Sequence, residues 1–223
     1  MANRQIAFIH TSPSMIPVFK SLADELLAGE KIFNMVDESL LCDIIACGNC
    51  PPATAKRLAG HVMAADEAGA DFILVTCSSM GRAVEASRAL VKAKVLRVDE
   101  PMVNQAVATG KRIGVIATLP STLEPTAALI KARGSATGSS VELTTLVVPG
   151  AFEAVISGNG AKHDELVGAA LKDLAKKVEV IVLAQASMAR VVDSLAPRDK
   201  PVPILSSPRS AVEHLAAILG PQH

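Results

Sequence analysis

The chain has no Trp, no Tyr and only five Phe. A core without aromatics must be filled by Ala, Val, Ile and Leu, which suits buried parallel strands covered by helices. The same scarcity removes the stacking platforms that single-stranded nucleic acid needs. An excess of one charge is also missing: 22 Lys and Arg balance 22 Asp and Glu. No net field draws nucleic acid or an anionic membrane, so neither is expected as a partner. No apolar run reaches the roughly 18 residues of a membrane span. The opening MANRQIAFIHTSPS has one basic residue and a short apolar run. It lacks the longer apolar segment and cleavage site of a signal peptide and reads as a first β-strand. A cytoplasmic location is the expectation, with the four Cys reduced. There is no HExxH, no paired Cys/His zinc pattern, no GxGxxG after a strand and no P-loop lysine signature. No metal site and no nucleotide site is expected.

What the chain does have is a hydrophobic half and a repeat. Its 223 residues are 50% hydrophobic. That is enough for one large domain or two lobes of roughly 100–110 residues. DFILVTCSSMGRAVEA (71–86) aligns with EVIVLAQASMARVVDS (179–194) at a shift of 108. IAFIHTSPSMI (6–16) aligns with IGVIATLPSTL (113–123) at a shift of 107, and Pro101 and Pro208 keep that shift. Three segments in one register argue for two similarly folded halves. Within each half, short apolar runs alternate with helical patterns. Strands are expected at 5–9, 33–36, 72–76 and 95–98, then at 112–117, 142–148, 179–184 and 203–206. Helices are expected at 16–28, 52–68, 80–92 and 101–109, then at 122–133, 162–177, 187–195 and 209–219. Residues 134–140 and 157–165 read as loops, the second ending in a helix start. The expected fold is α/β, with two pseudo-symmetric lobes of parallel strands joined by right-handed crossovers. Residues 1–100 form the first lobe and 101–206 the second, with a C-terminal helix, 207–223, able to pack back on the first.

In open parallel sheets, ligands sit beyond the carboxyl ends of the strands. That rule selects residues 10–14, 76–79, 118–122 and 184–187, which are rich in Thr, Ser and small residues. Each segment leads into a helix whose free N–H groups favour an anion. Two lobes facing one another across a pseudo-twofold axis would bring the four loops into one cleft, suited to a small carboxylate. Thr11, Ser12, Ser78, Ser79, Thr118 and Ser187 are the candidate substrate ligands. Helix capping is the competing role for each hydroxyl.

Cys77 ends a strand and precedes a helix, a position expected to lower a thiol pKa. Cys42, Cys47 and Cys50 have a C-x4-C-x2-C spacing like that of a plant-type iron–sulfur motif. The apolar stretch LLCDIIAC instead makes Cys42 and Cys47 core residues. His10, at the end of the first strand, and His163, near a helix start, are candidate acid/base groups. Surface or packing roles suit His61, His214 and His223, and are the favoured alternative for His10 and His163 as well. Asp37 and Glu38 follow the second strand, as loop or cap residues or as groups reaching the cleft.

VTCSSMG, VLAQASM and the two-lobed repeat resemble the Asp/Glu/hydantoin racemase superfamily over essentially the whole chain. The resemblance implies two flavodoxin-like lobes and no cofactor. It also implies proton transfer at the substrate α-carbon by one Cys from each lobe. Maleate isomerases and arylmalonate decarboxylases look like relatives on this scaffold. By position, the first-lobe Cys is Cys77, with Ser78 and Ser79 as carboxylate ligands, and the Thr118 loop is similar to the family's Thr-containing substrate loop. The second Cys falls on Gln185. A neutral carboxamide exchanges no proton near pH 7, so racemisation by two thiols is not expected. The implied activity is of racemase/isomerase type on a small carboxylate or related carbonyl compound, with Cys77 as acid/base or nucleophile; His10 and His163 are the candidates that could supply a second acid. The rivals are a one-thiol decarboxylase and a non-catalytic small-molecule binding protein. A homodimer or higher homo-oligomer is compatible with this reading.

Overall fold

The computed structural model describes residues 4–185 and 188–220. The chain divides into two compact units, residues 1–98 with 208–223, and residues 99–207. The first unit holds β1 (Gln5–His10), α1 (Met15–Leu26), β2 (Lys31–Val36), α2 (Glu38–Cys47), α3 (Pro52–Glu67), β3 (Phe72–Val75), α4 (Gly81–Ser87) and β4 (Lys94–Arg97). The second holds α5 (Glu100–Thr109), β5 (Arg112–Ala117), α6 (Pro120–Ala136), β6 (Glu142–Val147), α7 (Ala151–Ile156), α8 (Gly160–Leu174), β7 (Val180–Leu183), α9 (Ala189–Ser194) and β8 (Ile204–Ser206). The last helix, α10 (Ser207–Leu219), belongs from Pro208 onward to the first unit.

Each unit is a four-stranded sheet, ordered β2-β1-β3-β4 in the first and β6-β5-β7-β8 in the second. All strand pairs are parallel. Helices cover both faces, so the central strands are apolar throughout and show no alternation. Ala7, Ile9, Ile73 and Val75 face one core with α2, α3 and α4, while Ile6, Phe8 and Leu74 face the other with α1 and α10. In the second unit, Ile113, Val115 and Val182 pack with α5 and α6, and Ile116, Ile181 and Leu183 pack with α7, α8 and α9. The edge strands β2 and β6 are more open, as their single neighbour allows.

Two helices depart from the sequence expectation. In α2, Asp37 caps the start by accepting from Ser39 N–H, and Gly48 ends the helix at φ 70, a conformation that costs glycine little. Leu40 and Ile44 take the buried face of α2. Cys42 and Cys47 are therefore exposed, which corrects their expected place in the core. The second addition, α7, is a six-residue segment after β6. The expected loop at 134–140 begins later, because α6 runs through Ala136.

Candidate functional site

Parallel pairing puts the segments after β1 and β3 side by side at the carboxyl end of the first sheet. Thr76 N–H donates to the Ile9 carbonyl at 3.0 Å, which extends the β1–β3 ladder past the strand end. Cys77 follows in extended conformation and opens a 3-10 turn, Ser78–Met80. Its side chain is partly exposed and packs at the edge of the first core. Burial pushes the thiol above its ordinary pKa, while the Thr11 side chain, the Ser79 backbone and side chain, and the Met80 backbone pull it back. The net direction is upward, the reverse of the lowering expected from a helix start. Desolvation wins because a short 3-10 turn, with little dipole of its own, follows the thiol directly. At rest Cys77 is therefore a protonated thiol encircled by donors that favour the thiolate when it forms.

The second sheet repeats the layout with other chemistry. Thr118, just after β5, donates its N–H at 2.5 Å and its hydroxyl at 2.8 Å to Gln185 Oε1, beyond β7. Thr118 corresponds to Thr11, and Gln185 to Cys77, by the sequence shifts. The carboxamide thus clasps the two loops of its own lobe. Its oxygen is engaged and nothing in it titrates. Ser187, the fourth hydroxyl of this loop set, lies outside the described residues, as does His223.

The remaining candidates separate. Thr11, Ser79 and Thr118 are buried polar residues. Ser78 is half-buried in the turn after Cys77. Ser12 is half-buried, its hydroxyl 2.8 Å from that of Ser14. For His10 the sequence favours a satisfied or surface ring over an acid/base facing the cleft. The ring is fully buried against Phe8 and Phe19, with Nδ1 2.9 Å from Thr76 Oγ1 and Nε2 2.9 Å from Asn34 Oδ1. Desolvation lowers its pKa, against the opposing hydrogen bond to Asn34. His10 is a neutral joint between β1, β2 and β3.

His163 is also buried, in the first turns of α8. His61 and Asp37 pair at 2.8 Å beside a cavity of about 260 Å³, and hydrogen bonds from Ser39 and then His61 hold Asp37 below its usual pKa. His214 is exposed on α10. Cys50 packs against the same core as Cys77, with Sγ 4.0 Å from Met80 Sδ. Burial, and then the charge of Cys77, push the Cys50 thiol up. Among the described residues no three His, Cys, Asp or Glu side chains are grouped to hold a metal ion, and no helix is long and apolar enough to cross a membrane.

Sequence reasoning missed three charged residues, one at a strand end and two on helices. Arg97 ends β4, is 5% exposed and pairs with Glu85 at 2.5 Å. Its guanidinium fills the space beside Gly81, where a Cβ would stand 2.3 Å from Nη2. A strand-end Arg followed two residues later by Asp99 was the available signal. In the second lobe, Asp164 Oδ1 lies 2.7 Å from His163 Nδ1 and accepts from Arg190 Nη2 at 2.9 Å. Arg190 recurs as Arg82 in the repeat and could have been singled out on that ground.

Comparison with known proteins agrees with this architecture. A Yersinia pestis protein described as an Asp/Glu racemase superposes with a TM-score of 0.74 at 17% identity, covering 96% of this chain and 98% of that one. The aspartate racemase of Picrophilus torridus gives 0.72 at 12% identity, covering 96% and 94%. The allantoin racemase of Klebsiella pneumoniae gives 0.68 at 20% identity, covering 97% and 87%. At these identities the likeness is one of fold. No curated protein matches the chain in sequence. The Asp/Glu/hydantoin racemase family model matches residues 6–215. Its match spans both lobes, Cys77 and Gln185 alike, and the chain belongs to the Asp/Glu/hydantoin racemase family.

Proposed function

We propose that this protein is a cofactor-independent enzyme of the racemase/isomerase type, acting on a small carboxylate or related carbonyl compound. Cys77 is its acid/base. The observation that carries this reading is the thiol beyond β3 with Thr11, Ser79 and Met80 directed to its sulfur. Proton removal from carbon next to a carboxylate needs a base and donors for the charge that develops on oxygen. Thiolate at Cys77 is the base. Ser78, the backbone N–H groups of its turn and the Thr11 hydroxyl are the donors for an enediolate-like intermediate. Burial keeps the resting thiol protonated, so Cys77 also serves as the acid that returns a proton.

A second reading is a one-thiol reaction: loss of CO2 followed by protonation of the resulting carbanion by Cys77. It is favoured by Gln185, whose oxygen is held by Thr118 and which offers no proton exchange. The test is a thermal-shift screen of aspartate, glutamate, 5-substituted hydantoins and small dicarboxylates, followed by NMR of each binder in D2O. Deuterium entering at the α-carbon of an intact compound is the expected result. Release of CO2 selects the second reading. A compound that binds but shows neither, at any protein concentration, leaves a binding protein and sinks both.

A further inference from the structure

The first lobe holds a cavity that the proposed chemistry leaves unused. It has a volume of about 260 Å³ and is lined by Ile9, Met35, Val36, Asp37 and His61. Ile9 is fully buried and Val36 is 41% exposed, so the cavity opens at the rim and reaches down to the core. Its polar end is a fixed pair. His61 Nε2 lies 2.8 Å from Asp37 Oδ2, while Asp37 Oδ1 accepts from the Ser39 N–H at 3.0 Å and from the Ser39 hydroxyl. These bonds hold the Asp37 carboxyl below its usual pKa, so it is ionised near neutral pH. An ionised carboxylate accepts and cannot donate. Nε2 therefore carries a hydrogen, and Nδ1 of the neutral ring presents a lone pair. Among the described residues nothing donates to that nitrogen.

The cavity lies on the same sheet face as Cys77. Strands β2, β1 and β3 run parallel, with Met35 beside Ile9 and Ile9 beside Val75. All three side chains pack toward the core shared with α2, α3 and α4. Side chains on a strand return to one face every second residue. Two residues on, the row is Asp37, Thr11 and Cys77. Backbone bonds carry the pairing past the strand ends, from Asp37 N–H to the His10 carbonyl at 3.0 Å and from Thr76 N–H to the Ile9 carbonyl at 3.0 Å. The contacts agree: Asp37 meets His61 of α3, Cys77 packs on the same core, and Thr11 reaches the Cys77 thiol. Adjacent strands lie about 4.8 Å apart, which sets the Asp37 and Cys77 backbones about 10 Å apart with Thr11 between them. A compound whose reacting carbon meets the sulfur can lay its side group past Thr11 toward His61. Every residue of this row belongs to one unit.

We propose that this cavity is the side-group subsite of the Cys77 reaction, and that it takes a small carboxylate whose side group ends in an N–H or O–H donor. The proposal rests on the reading above that Cys77 exchanges the α-proton. Ile9, Met35 and Val36 pack the aliphatic part of the side group. His61 Nδ1 accepts from its donor, and Asp37 is the positioning residue that fixes the ring. A second carboxylate is rejected on two counts. It meets a lone pair where it needs a donor, and it lies one imidazole ring away from the Asp37 charge. Like charges at that separation, partly shielded from water, cost about tenfold or more in affinity.

Isosteric pairs test this directly. Glutamine against glutamate, and asparagine against aspartate, exchange a side-chain carboxamide for a carboxylate of the same shape. Binding is followed in the two-bond 1H–15N spectrum of histidine-labelled protein at about pH 8, above the ordinary imidazole range of about 6.5. The wild type is expected to bind one carboxamide about tenfold or more tighter than its carboxylate partner, with the His61 Nδ1 resonance moving. Equal affinity within both pairs, tighter binding of the carboxylates, or an Nδ1 resonance that stays in place overturns the proposal. So does failure of all four compounds to bind. Asp37→Asn removes the charge and keeps a cap for α2, since Asn caps a helix as well as Asp. It is expected to bring the preference below about threefold. A preference that survives intact overturns the part assigned to Asp37. Should Asp37→Asn fail to fold, the wild-type pairs and the spectrum decide alone. Deuterium entry at the α-carbon is recorded for the same compounds. Exchange without a carboxamide preference sinks the subsite and spares the Cys77 reading. A carboxamide preference without exchange sinks the Cys77 reading and leaves the cavity a binding site.

Discussion

Each lobe ties the end of its first strand to the end of its third through a threonine, but the ties serve opposite purposes. In the first lobe Thr11 reaches the Cys77 thiol, with Ser79 and Met80 beside it. The bond favours a charge that exists only while the thiol is ionised. In the second, Thr118 reaches Gln185 Oε1 through both its N–H and its hydroxyl. That bond is complete at rest and stores nothing for a reaction. One scaffold position therefore holds a titratable thiol in one lobe and a fixed strut in the other. The second lobe's unsatisfied group lies elsewhere, at His163.

The lobes also differ in continuity. The first is completed by α10, from the far end of the chain, whereas the second is contiguous. Leu215 of α10 is fully buried among Phe8, Phe19 and Leu74. Leu215→Ala is expected to cost about 2–5 kcal/mol, the usual cost of an emptied core site. Hydrogen exchange should then rise in β1 and β3 and stay unchanged in β5 and β7. An equal rise in both sheets would show that the lobes unfold as one and would break the comparison.

The two threonine ties can be cut separately. Thr11→Val removes a donor worth about 1.5–3 kcal/mol to an ionised sulfur. Alkylation of Cys77 by iodoacetamide, followed peptide by peptide against pH, should have a midpoint above that of free cysteine in the wild type and higher still in Thr11→Val. An unmoved midpoint would mean that Thr11 does not serve the thiolate. Thr118→Val leaves the backbone N–H on Gln185 and should cost only about 0.5–1.5 kcal/mol of stability in urea unfolding.

The smallest effect concerns His10. Desolvation lowers its pKa from 6.5 in the folded state. The unfolded chain then binds this proton more readily, so stability rises with pH in that window. His10's contribution is intact above about pH 6.5 and is lost as pH falls from there through the folded pKa. Replacing His10 by Asn should flatten the fall in Tm between about pH 7 and pH 5 relative to the wild type. An unchanged slope would assign the acid sensitivity to other groups.

Much of this architecture was legible in the sequence because its central strands are buried on both faces. Such strands read as plain Val/Ile/Leu runs, and the polar segments after them mark the carboxyl ends. The short helices were not legible. In α7 six residues give fewer than two turns of pattern, and in α2 the apolar residues outnumber the two that face the core. The burial of His163 was masked by its charged neighbours Lys162, Asp164 and Glu165, although its spacing to Val167 and Leu171 carried the inward phase. The direction of the Cys77 shift depends on how much protein surrounds the sulfur. That is a tertiary quantity which no local motif encodes.

The central claim is that the chemistry depends on the thiol of the first lobe and not on the carboxamide that replaces its counterpart. The most direct test measures deuterium entry at the α-carbon of one active compound, side by side, for wild type, Cys77→Ala and Gln185→Ala. Removing an acid/base group costs about 10²–10⁴-fold. Cys77→Ala should fall by that amount, and Gln185→Ala by at least tenfold less. Equal losses in the two variants, or exchange that survives in Cys77→Ala, would contradict the account.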